Sequence, residues 1–283
     1  MTASAESQFL PQITSIAREA GAMLAQYFER RIGFEYKGDV DLVTEADRSA
    51  EKLIVSRLRH LWPDHEIVGE EGTRQNTGLS DFRWFVDPLD GTTNFAHGYP
   101  VFCVSIGMEY KGELTAGVIF DPTRNEMFAA ERGRGATLNG RKIAVSSTRT
   151  ISEAILATGF PSFKRHKNPN IHFYHQLTLR SHGIRRAGSA ALDLAYVAAG
   201  RYDGFWEFNL NPWDTSAGVL LVREAGGSVT RFDETPFRID SREVLASNTL
   251  LHRELIENFA EIFSGRGLEE IPSAVNYAKQ REK

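Results

Sequence analysis

The amino-terminal part of the chain carries apolar side chains at helical spacing. Residues 8–30 have an apolar position every three or four residues, which predicts an amphipathic helix. A second such pattern begins near Thr44 and ends at Trp62-Pro63, because the residue before a proline disfavours helical backbone. The short apolar run Glu66–Gly69 then predicts a strand. The chain is therefore expected to start with a pair of helices.

Between residues 82 and 145 the pattern changes to short apolar runs that are typical of strands. Turn-forming residues separate these runs, and Asn139-Gly140 is a strong signal for a hairpin turn. Residues 73–81, just before the runs, are polar and predict a loop. The pattern therefore predicts an antiparallel meander. Its main runs are Val101–Tyr110, Thr115–Asp121 and Glu126–Glu131.

From residue 146 onward, predicted helices alternate with predicted strands. One helix is expected over Ala190–Ala199, and another begins at Trp213 and ends at Ala225, before two glycines. Such alternation is typical of an α/β lobe. We therefore expect an N-terminal lobe over residues 1–145, with the helix pair and antiparallel sheet, and a C-terminal α/β lobe over residues 146–283 that completes a shared site.

The composition is that of a folded protein with balanced charge. The 283 residues are 41% hydrophobic, and 33 Lys and Arg stand against 37 Asp and Glu. The chain therefore has no excess of basic residues that would attract nucleic acid, and we expect no direct nucleic-acid binding. The chain lacks a signal-peptide pattern, and no apolar run is long enough to span a membrane. A soluble cytoplasmic protein is expected.

The cysteine and most histidines are expected to be structural. The single cysteine, Cys103, excludes an intramolecular disulfide, and its apolar neighbours predict a buried strand position. The histidines show no zinc-ligand spacing, and His65 and His252 are among those expected on the surface. The reactive chemistry is therefore to be sought among the acidic residues.

The run from Trp84 to Phe95 places two carboxylates in a turn after an apolar strand. Asp87 and Asp90 enclose a Pro-Leu pair, and Gly91 permits sharp backbone geometry beyond them. Two ionised carboxylates cannot lie buried side by side unless a cation lies between them. Acidic oxygens beside free N–H groups suit a divalent metal that holds a phosphate.

Further acids occur at predicted strand ends and helix starts, and each also has a structural explanation. Glu70 lies in an acidic loop after a strand, and Asp214 would suit the first turn of a helix. Thr44 and Asp47 have the spacing of a helix capping box, so a structural and a catalytic role both stay open. Arg186 could form a structural ion pair or supply positive charge near an anionic substrate.

Other metal and phosphate motifs are excluded by spacing. The acidic run lacks the alternating oxygen ligands of an EF-hand loop, and the chain has no Gly-Lys-Ser/Thr phosphate loop. Haloacid-dehalogenase-type phosphatases resemble Asp-x-Asp-x-Thr, whereas Asp87 and Asp90 do not project from one face of a regular extended strand. The expected attacking group is therefore a metal-bound water.

Five segments of the chain together resemble the inositol monophosphatase family of Mg²⁺-dependent, lithium-sensitive sugar-phosphate phosphatases. They occur in the family's order. Two of their motifs form a highly specific pair, Asp-Pro-Leu-Asp-Gly-Thr-Thr-Asn-Phe and Trp-Asp-x-x-Ala-Gly. Gly72 departs from the pattern, because many members carry serine there. The resemblance implies a layered α-β-α-β-α sandwich and a homodimer. The segments are Asp41–Asp47, Gly69–Gly72, Trp84–Phe95, Gly188–Ala191 and Trp213–Gly227.

The resemblance also implies a set of site residues. The implied ligands of two Mg²⁺ ions, with a weaker third at Glu70, are Glu70, Asp87, the Leu89 carbonyl, Asp90 and Asp214. The implied catalytic residues are Glu70 and Thr92 with its partner Asp47. The implied substrate contacts are Asp90, Gly91, Thr92, Gly188, Ser189, Ala190, Glu207 and Asp214. In the family pattern, the N–H groups of Gly91 and Thr92 hold phosphate and Glu207 accepts substrate hydroxyls.

The expected function is Mg²⁺-dependent hydrolysis of a small sugar or polyol monophosphate by metal-activated water, with myo-inositol 1-phosphate as the first candidate. Histidinol phosphate, fructose 1,6-bisphosphate and nucleotide 3′-phosphates stay open, because the metal residues do not separate these substrates. The alternative to an enzyme is a dimeric regulatory binding protein, although the intact set of acidic residues favours catalysis. The expected partners are a phosphorylated polyol and a second copy of the chain, with no membrane.

Overall fold

The structure is a computed structural model that describes residues 9–30, 34–36, 42–75, 78, 80–160, 168–271 and 273. Asp41, which begins the first matching segment, lies outside the described residues. The helices in the described part are α1 (Phe9–Arg30), α2 (Glu45–Leu61), α3 (Thr92–Ala96), α4 (Asn170–Arg180), α5 (Ala190–Ala198), α6 (Pro212–Glu224) and α7 (Thr249–Ser264).

Three sheets accompany these helices in the described part of the chain. Strands β1 (Phe34–Tyr36) and β2 (Leu42–Thr44) form a small antiparallel pair. The large sheet contains β3 (Glu66–Gly69), β4 (Arg74–Gln75), β5 (Phe82–Asp90), β6 (Cys103–Tyr110), β7 (Glu113–Asp121), β8 (Glu126–Glu131), β9 (Gly135–Leu138) and β10 (Arg141–Ile143). The third sheet contains β11 (Ile155–Thr158), β12 (Gly183–Arg185), β13 (Gly204–Phe208), β14 (Ser228–Thr230) and β15 (Glu243–Ser247).

The elements stack as five layers. Helices α1 and α2 cover one face of the large sheet through a shared apolar core. Helices α5 and α6 lie between the large sheet and the five-stranded sheet, where the most extensive apolar core of the described chain is formed. Helices α4 and α7 cover the outer face of the five-stranded sheet. The expected α-β-α-β-α sandwich is confirmed.

The large sheet has the strand order β10-β9-β8-β7-β6-β5-β3-β4. From β5 to β10 every neighbouring pair is antiparallel, as the turn signals predicted. Strand β3 pairs with β5 in parallel instead, with Gly69 opposite Val86. Because parallel strands end at the same edge of a sheet, the next residues, Glu70 and Asp87, emerge side by side.

Helix α6 lies unusually close to the large sheet. Gly117 on β7 faces the backbone of the helix, and a Cβ there would be 2.9 Å from the Cα of Ala217. Gly107 on β6 likewise leaves room for Ser216. Two strand glycines therefore let α6 approach the sheet, which brings its first turn, with Asp214, next to the end of β5.

Some local predictions were wrong. The polar loop predicted over residues 73–81 contains the two-residue strand β4, which pairs with β3. His252 is buried rather than on the surface, since its two ring nitrogens lie 2.8 Å from the Ser247 hydroxyl and 2.9 Å from the Thr230 hydroxyl. His65 is half-buried and accepts a hydrogen bond from the indole of Trp84. Ring hydrogen bonds of this kind leave no periodic signal in a sequence.

In the part of the chain that the structure describes, no helix has the length and apolar character needed to cross a bilayer. The division into two lobes at residue 146 stays a prediction.

Candidate active site

The predicted site residues meet at one cavity of about 240 Å³. It opens where β3 and β5 end and where α3, α5 and α6 begin. The predicted residues that line it are Glu70, Asp90, Gly91, Thr92, Gly188, Ser189, Ala190, Glu207 and Asp214. The other three, Asp47, Asp87 and Leu89, are buried next to these lining residues. Segments far apart in sequence therefore meet at this cavity.

An irregularity in β5 brings Asp87 and Asp90 to the same face of the sheet. Asp87 pairs with Ser105 and Asp90 with Cys103, so two residues of β5, Pro88 and Leu89, oppose one residue of β6. Such a bulge inserts one extra residue and reverses the alternation of side chains beyond it. Both carboxylates consequently face the layer of α5 and α6, which corrects the expectation from a regular strand.

Asp90 connects the end of β5 to the start of α5. Its Oδ2 accepts hydrogen bonds from the hydroxyl of Ser189 at 2.6 Å and from the backbone N–H of Ala191 at 2.7 Å. Ser189 is also the N-cap of α5. A carboxylate at this position is stabilised by the unpaired N–H groups and by the dipole of the helix.

Asp214 occupies the first turn of α6. The backbone N–H of Asn211 donates to its Oδ2 at 2.6 Å, which completes a capping box. Burial nonetheless raises the pKa of Asp214 to about 7, with repulsion from Asp90 adding to the rise. Asp214 therefore both caps α6 and lines the cavity.

The acids at the end of β5 repel one another. Burial, followed by repulsion from Glu70, Asp90 and Asp214, raises the pKa of Asp87 well above 3.8. The carboxyl groups of Glu70 and Asp87 lie close enough that holding a proton between them is more favourable than ionising both. A cation could take the place of that proton and remove the repulsion at the same time.

The donor chemistry of this cluster fits a hard divalent cation. Among the described residues, no three His, Cys, Asp or Glu side chains already surround one point at metal-ligand spacing. Carboxylate and carbonyl oxygens are nevertheless the groups that Mg²⁺ prefers, often with several waters retained. The groups that could hold it are the carboxylates of Glu70, Asp87, Asp90 and Asp214 and the carbonyl of Leu89.

These raised pKa values predict how pH affects stabilisation by Mg²⁺. An acid whose pKa is higher in the folded state binds more protons there, so the metal-free protein loses stability as pH rises from about 4 to about 7. A Mg²⁺ ion held by these acids would relieve the repulsion, so we expect added Mg²⁺ to raise the melting temperature more at pH 8 than at pH 5.5. Calorimetry with Mg²⁺ and with EDTA at both pH values measures this difference.

The melting temperatures with Mg²⁺ and with EDTA must be compared at the same pH. His65 and His252 also change the stability of the folded protein with pH, in the direction opposite to the acids. Burial lowers the pKa of both histidines, to about 4 for His65, so acid destabilises the folded protein through them whether or not Mg²⁺ is present. An equal gain from Mg²⁺ at pH 5.5 and at pH 8 would contradict the prediction.

Asp47 links the start of α2 to Thr92. Its Oδ2 accepts from the backbone N–H of Thr44 at 2.8 Å and from the Thr44 hydroxyl at 2.5 Å, so the predicted capping box is confirmed. Its other oxygen, Oδ1, accepts from the Thr92 hydroxyl at 3.0 Å. The same carboxylate therefore caps a helix and orients a hydroxyl that lines the cavity.

Glu51 is a second buried acid on α2, and the sequence analysis did not identify it. It lies one turn after Asp47 and accepts hydrogen bonds from the N–H of Glu71 at 2.8 Å and of Thr73 at 3.1 Å. The Thr73 hydroxyl donates to it at 2.7 Å. Glu51 therefore holds the backbone of the loop that carries Glu70. The sequence signal for Glu51 is its spacing of four residues from Asp47, which places both acids on the same face of the helix.

Replacing Glu51 with glutamine is expected to weaken Mg²⁺ activation. The amide cannot accept hydrogen bonds at both ends, so one N–H of the loop loses its partner and Glu70 becomes less well positioned. Groups that orient metal ligands typically affect affinity by about ten- to a hundredfold, and we expect the half-activating Mg²⁺ concentration to rise about tenfold. Activity measured against Mg²⁺ concentration tests this, with the exposed Glu45→Gln on the same helix as control. Equal half-activation for both variants would contradict it.

Glu207 is buried on β13 with its carboxylate against Gly159. A Cβ at position 159 would overlap both oxygens of that carboxylate, so only glycine leaves this space free. Burial, followed by repulsion from Asp214, raises the pKa of Glu207 well above 4.5. Other lining residues that the sequence analysis did not assign to the site include Asn94, Phe160, Asp193, Asn209 and Asn211. Arg186 also lines the cavity.

Comparison with known proteins places this site in a family. A model of the inositol monophosphatase family matches residues 5–265. Nus factor SuhB of Pseudomonas aeruginosa is 48% identical over 248 residues, which cover 85% of this chain and 91% of that protein. An inositol-1-monophosphatase of Synechocystis is 44% identical over 250 residues, which cover 87% of each chain.

A solved structure of similar sequence has the same architecture. The inositol monophosphatase from Anabaena (Nostoc) sp. PCC 7120 superposes with a TM-score of 0.82 at 42% identity, and the match covers 90% of this chain and 96% of that one. The shared architecture agrees with the family match over nearly the whole length of the chain. The chain belongs to the inositol monophosphatase family, a metal-dependent family, and is a phosphoric monoester hydrolase.

Proposed function

We propose that this hydrolase is a Mg²⁺-dependent phosphatase of small polyol monophosphates, with myo-inositol 1-phosphate as the first candidate substrate. One observation carries the proposal: acidic side chains from β5, α6 and the loop after β3 line the same cavity as the buried Glu207. Acids that attract a cation thus lie beside an acceptor suited to hydroxyl groups. The name of the Synechocystis relative supports the same substrate class.

Glu70, Asp87, Asp90, Asp214 and the Leu89 carbonyl are proposed to hold Mg²⁺. When bound, the metal supplies positive charge that neutralises a phosphate dianion and makes water more acidic. The protein's own part is to keep these oxygens charged and in place. Asn211, Ser189 and Ala191 do so by donating hydrogen bonds to Asp214 and Asp90.

The Thr92 hydroxyl is proposed to orient the attacking water. Its proton has two acceptors at 3.0 Å, Oδ1 of Asp47 and the carbonyl oxygen of Leu89. One proton serves one strong hydrogen bond, and donation to the charged Asp47 is the stronger choice. This choice leaves the Leu89 carbonyl free for a cation and the lone pairs of Thr92 Oγ1 free to accept from water.

The turn after β5 is proposed to receive the phosphate. Gly91 and Thr92 line the cavity, and Gly91 has a φ of 101°, which glycine adopts readily. A Cβ at position 91 would also be 2.8 Å from the carbonyl oxygen of Val101, so a side chain there would displace the turn. Backbone N–H groups at such a turn donate to phosphate oxygens without adding a charged side chain.

A substrate panel tests this function. Purified protein is supplied with Mg²⁺ and with myo-inositol 1-phosphate, histidinol phosphate, fructose 1,6-bisphosphate or a nucleotide 3′-phosphate, and phosphate release is measured. The highest kcat/KM is expected for the inositol ester, and EDTA is expected to abolish release from every ester. A clear preference for one of the other three would replace the proposed substrate while leaving the phosphatase class intact.

A second candidate function is a regulatory binding protein without turnover. It is favoured by the name of the Pseudomonas aeruginosa relative, which is called a Nus factor and not a phosphatase. The acids in the cavity favour catalysis, because buried like charges lower stability unless they serve a bound cation. Failure of the folded, Mg²⁺-supplied protein to release phosphate from any ester of the panel would favour the binding role.

Three further properties are proposed for the same protein: a homodimer, inhibition by lithium, and a cytoplasmic location. Sedimentation of the purified protein measures the first, and the panel assay with added Li⁺ measures the second. A monomer at assay concentration, or full activity in Li⁺, would contradict the corresponding proposal.

A further inference from the structure

Asp193 is a buried carboxylate without a hydrogen-bond partner in the part of the chain that the structure describes. It lies in the first turn of α5, is 1% exposed and lines the cavity. Neither of its oxygens has a hydrogen-bond partner among the described residues. A buried acid without hydrogen bonds loses its hydration without a compensating interaction, so this side chain lowers the stability of the protein when no ligand is bound. A ligand that donates hydrogen bonds to this carboxyl group would offset that cost.

The charges around Asp193 indicate which kind of ligand donates. Repulsion from Glu207 and Asp90 acts on it, and Arg186 is the group that attracts it. Arg186 attracts Glu207 in the same way. One cation therefore already lies beside both carboxylates, and it would repel a second cation such as a substrate ammonium group. Neutral donors, which bring hydrogen bonds without charge, suit the two acids better.

We propose that Asp193 is a specificity-determining residue that accepts a hydrogen bond from a second hydroxyl of the polyol, next to the hydroxyl that Glu207 accepts. The inference rests on the proposed function and narrows it. Two carboxylates that line one cavity require two hydroxyl groups on the substrate, away from the phosphate. Ring polyols meet this requirement, whereas phosphate esters without hydroxyls do not.

The test compares two esters with wild-type protein and with Asp193→Ala and Asp193→Asn. The esters are myo-inositol 1-phosphate, which has free hydroxyls, and 4-nitrophenyl phosphate, which has none. A lost hydrogen bond to a charged acceptor lowers affinity by about tenfold or more, so the ratio of kcat/KM for the two esters should fall about tenfold in Asp193→Ala. Asparagine keeps an acceptor oxygen, so Asp193→Asn should recover part of the ratio.

Melting temperatures separate ligand binding from a structural role. Asp203 is the matched control, a buried acid outside the cavity that accepts from the Ser146 hydroxyl at 2.5 Å and the Ile155 N–H at 2.7 Å. Without substrate, Asp193→Asn should melt at or above the wild-type temperature because no hydrogen bond to a described residue is lost, whereas Asp203→Asn should melt lower because one of its two donors loses its acceptor. A lower melting temperature for Asp193→Asn would overturn the inference.

The kinetic outcomes distinguish the inference from the function on which it rests. If wild type hydrolyses both esters and Asp193→Ala leaves their kcat/KM ratio unchanged, the inference alone fails. If Asp193→Ala impairs histidinol phosphate and spares the inositol ester, the ligand of Asp193 is an amine and the assignment to a hydroxyl is overturned. If wild type hydrolyses 4-nitrophenyl phosphate but not the inositol ester, the proposed function fails and the inference falls with it.

Discussion

Replacing Asp90 with asparagine is expected to lower kcat about a thousandfold while the protein stays folded. The variant loses one negative charge where the proposed cation is held, and removal of a single charge-stabilising group at such sites typically lowers kcat by about 10² to 10³. The amide oxygen can still accept from Ser189 and Ala191, so the start of α5 keeps its hydrogen bonds. Phosphate release at saturating Mg²⁺ and substrate measures the effect.

Two controls distinguish lost chemistry from lost structure in Asp90→Asn. Asp81→Asn removes a carboxylate that is exposed and paired with Lys111, and it should keep full activity. The metal-free Asp90→Asn protein should melt at or above the wild-type temperature, because it has one fewer buried charge among the acids. Activity near the wild-type value in Asp90→Asn would reject the proposed role of this acid.

Much of the fold followed from periodicity, because helices and antiparallel strands are local patterns. The capping box at Thr44 and the hairpin at Asn139-Gly140 depend on residues a few positions apart. The parallel pairing of β3 with β5 was not predictable in this way. It joins segments that the two-residue strand β4 and a polar loop separate, and no turn signal marks it.

The candidate site was predictable only as far as its residues belong to recognisable segments. Asp87 and Asp90 stand in a specific motif, but the bulge that turns both to one face is a property of the pairing with β6. Asp193 and Glu51 lie within helical patterns, where an acid usually faces solvent. Their importance comes from burial, since Asp193 has no hydrogen-bond partner among the described residues and Glu51 holds a loop. Burial of a single polar residue is set by the tertiary structure.

The Thr92→Val variant is expected to lower kcat about a hundredfold, the second largest effect. Valine has nearly the shape of threonine, but it can neither donate to Asp47 nor accept from water. Positioned groups that guide proton transfer contribute about 10² to 10⁴ in rate, and the lower limit applies to a hydroxyl that orients water. The wild-type and variant values of kcat at saturating Mg²⁺ and inositol ester give the effect.

Three comparisons decide whether the Thr92 hydroxyl acts in the reaction or only supports Asp47. Thr92→Ser keeps the hydroxyl and should retain most of the activity. Thr44→Val removes a different donor to Asp47, at 2.5 Å, so a purely supporting role predicts equal losses of kcat in Thr44→Val and Thr92→Val. The helix cap predicts instead that Thr44→Val mainly lowers the melting temperature, by an amount that corresponds to about 1 kcal/mol. Equal kcat losses in both variants would therefore assign Thr92 to structure, because the cavity-facing hydroxyl would then contribute nothing beyond its bond to Asp47.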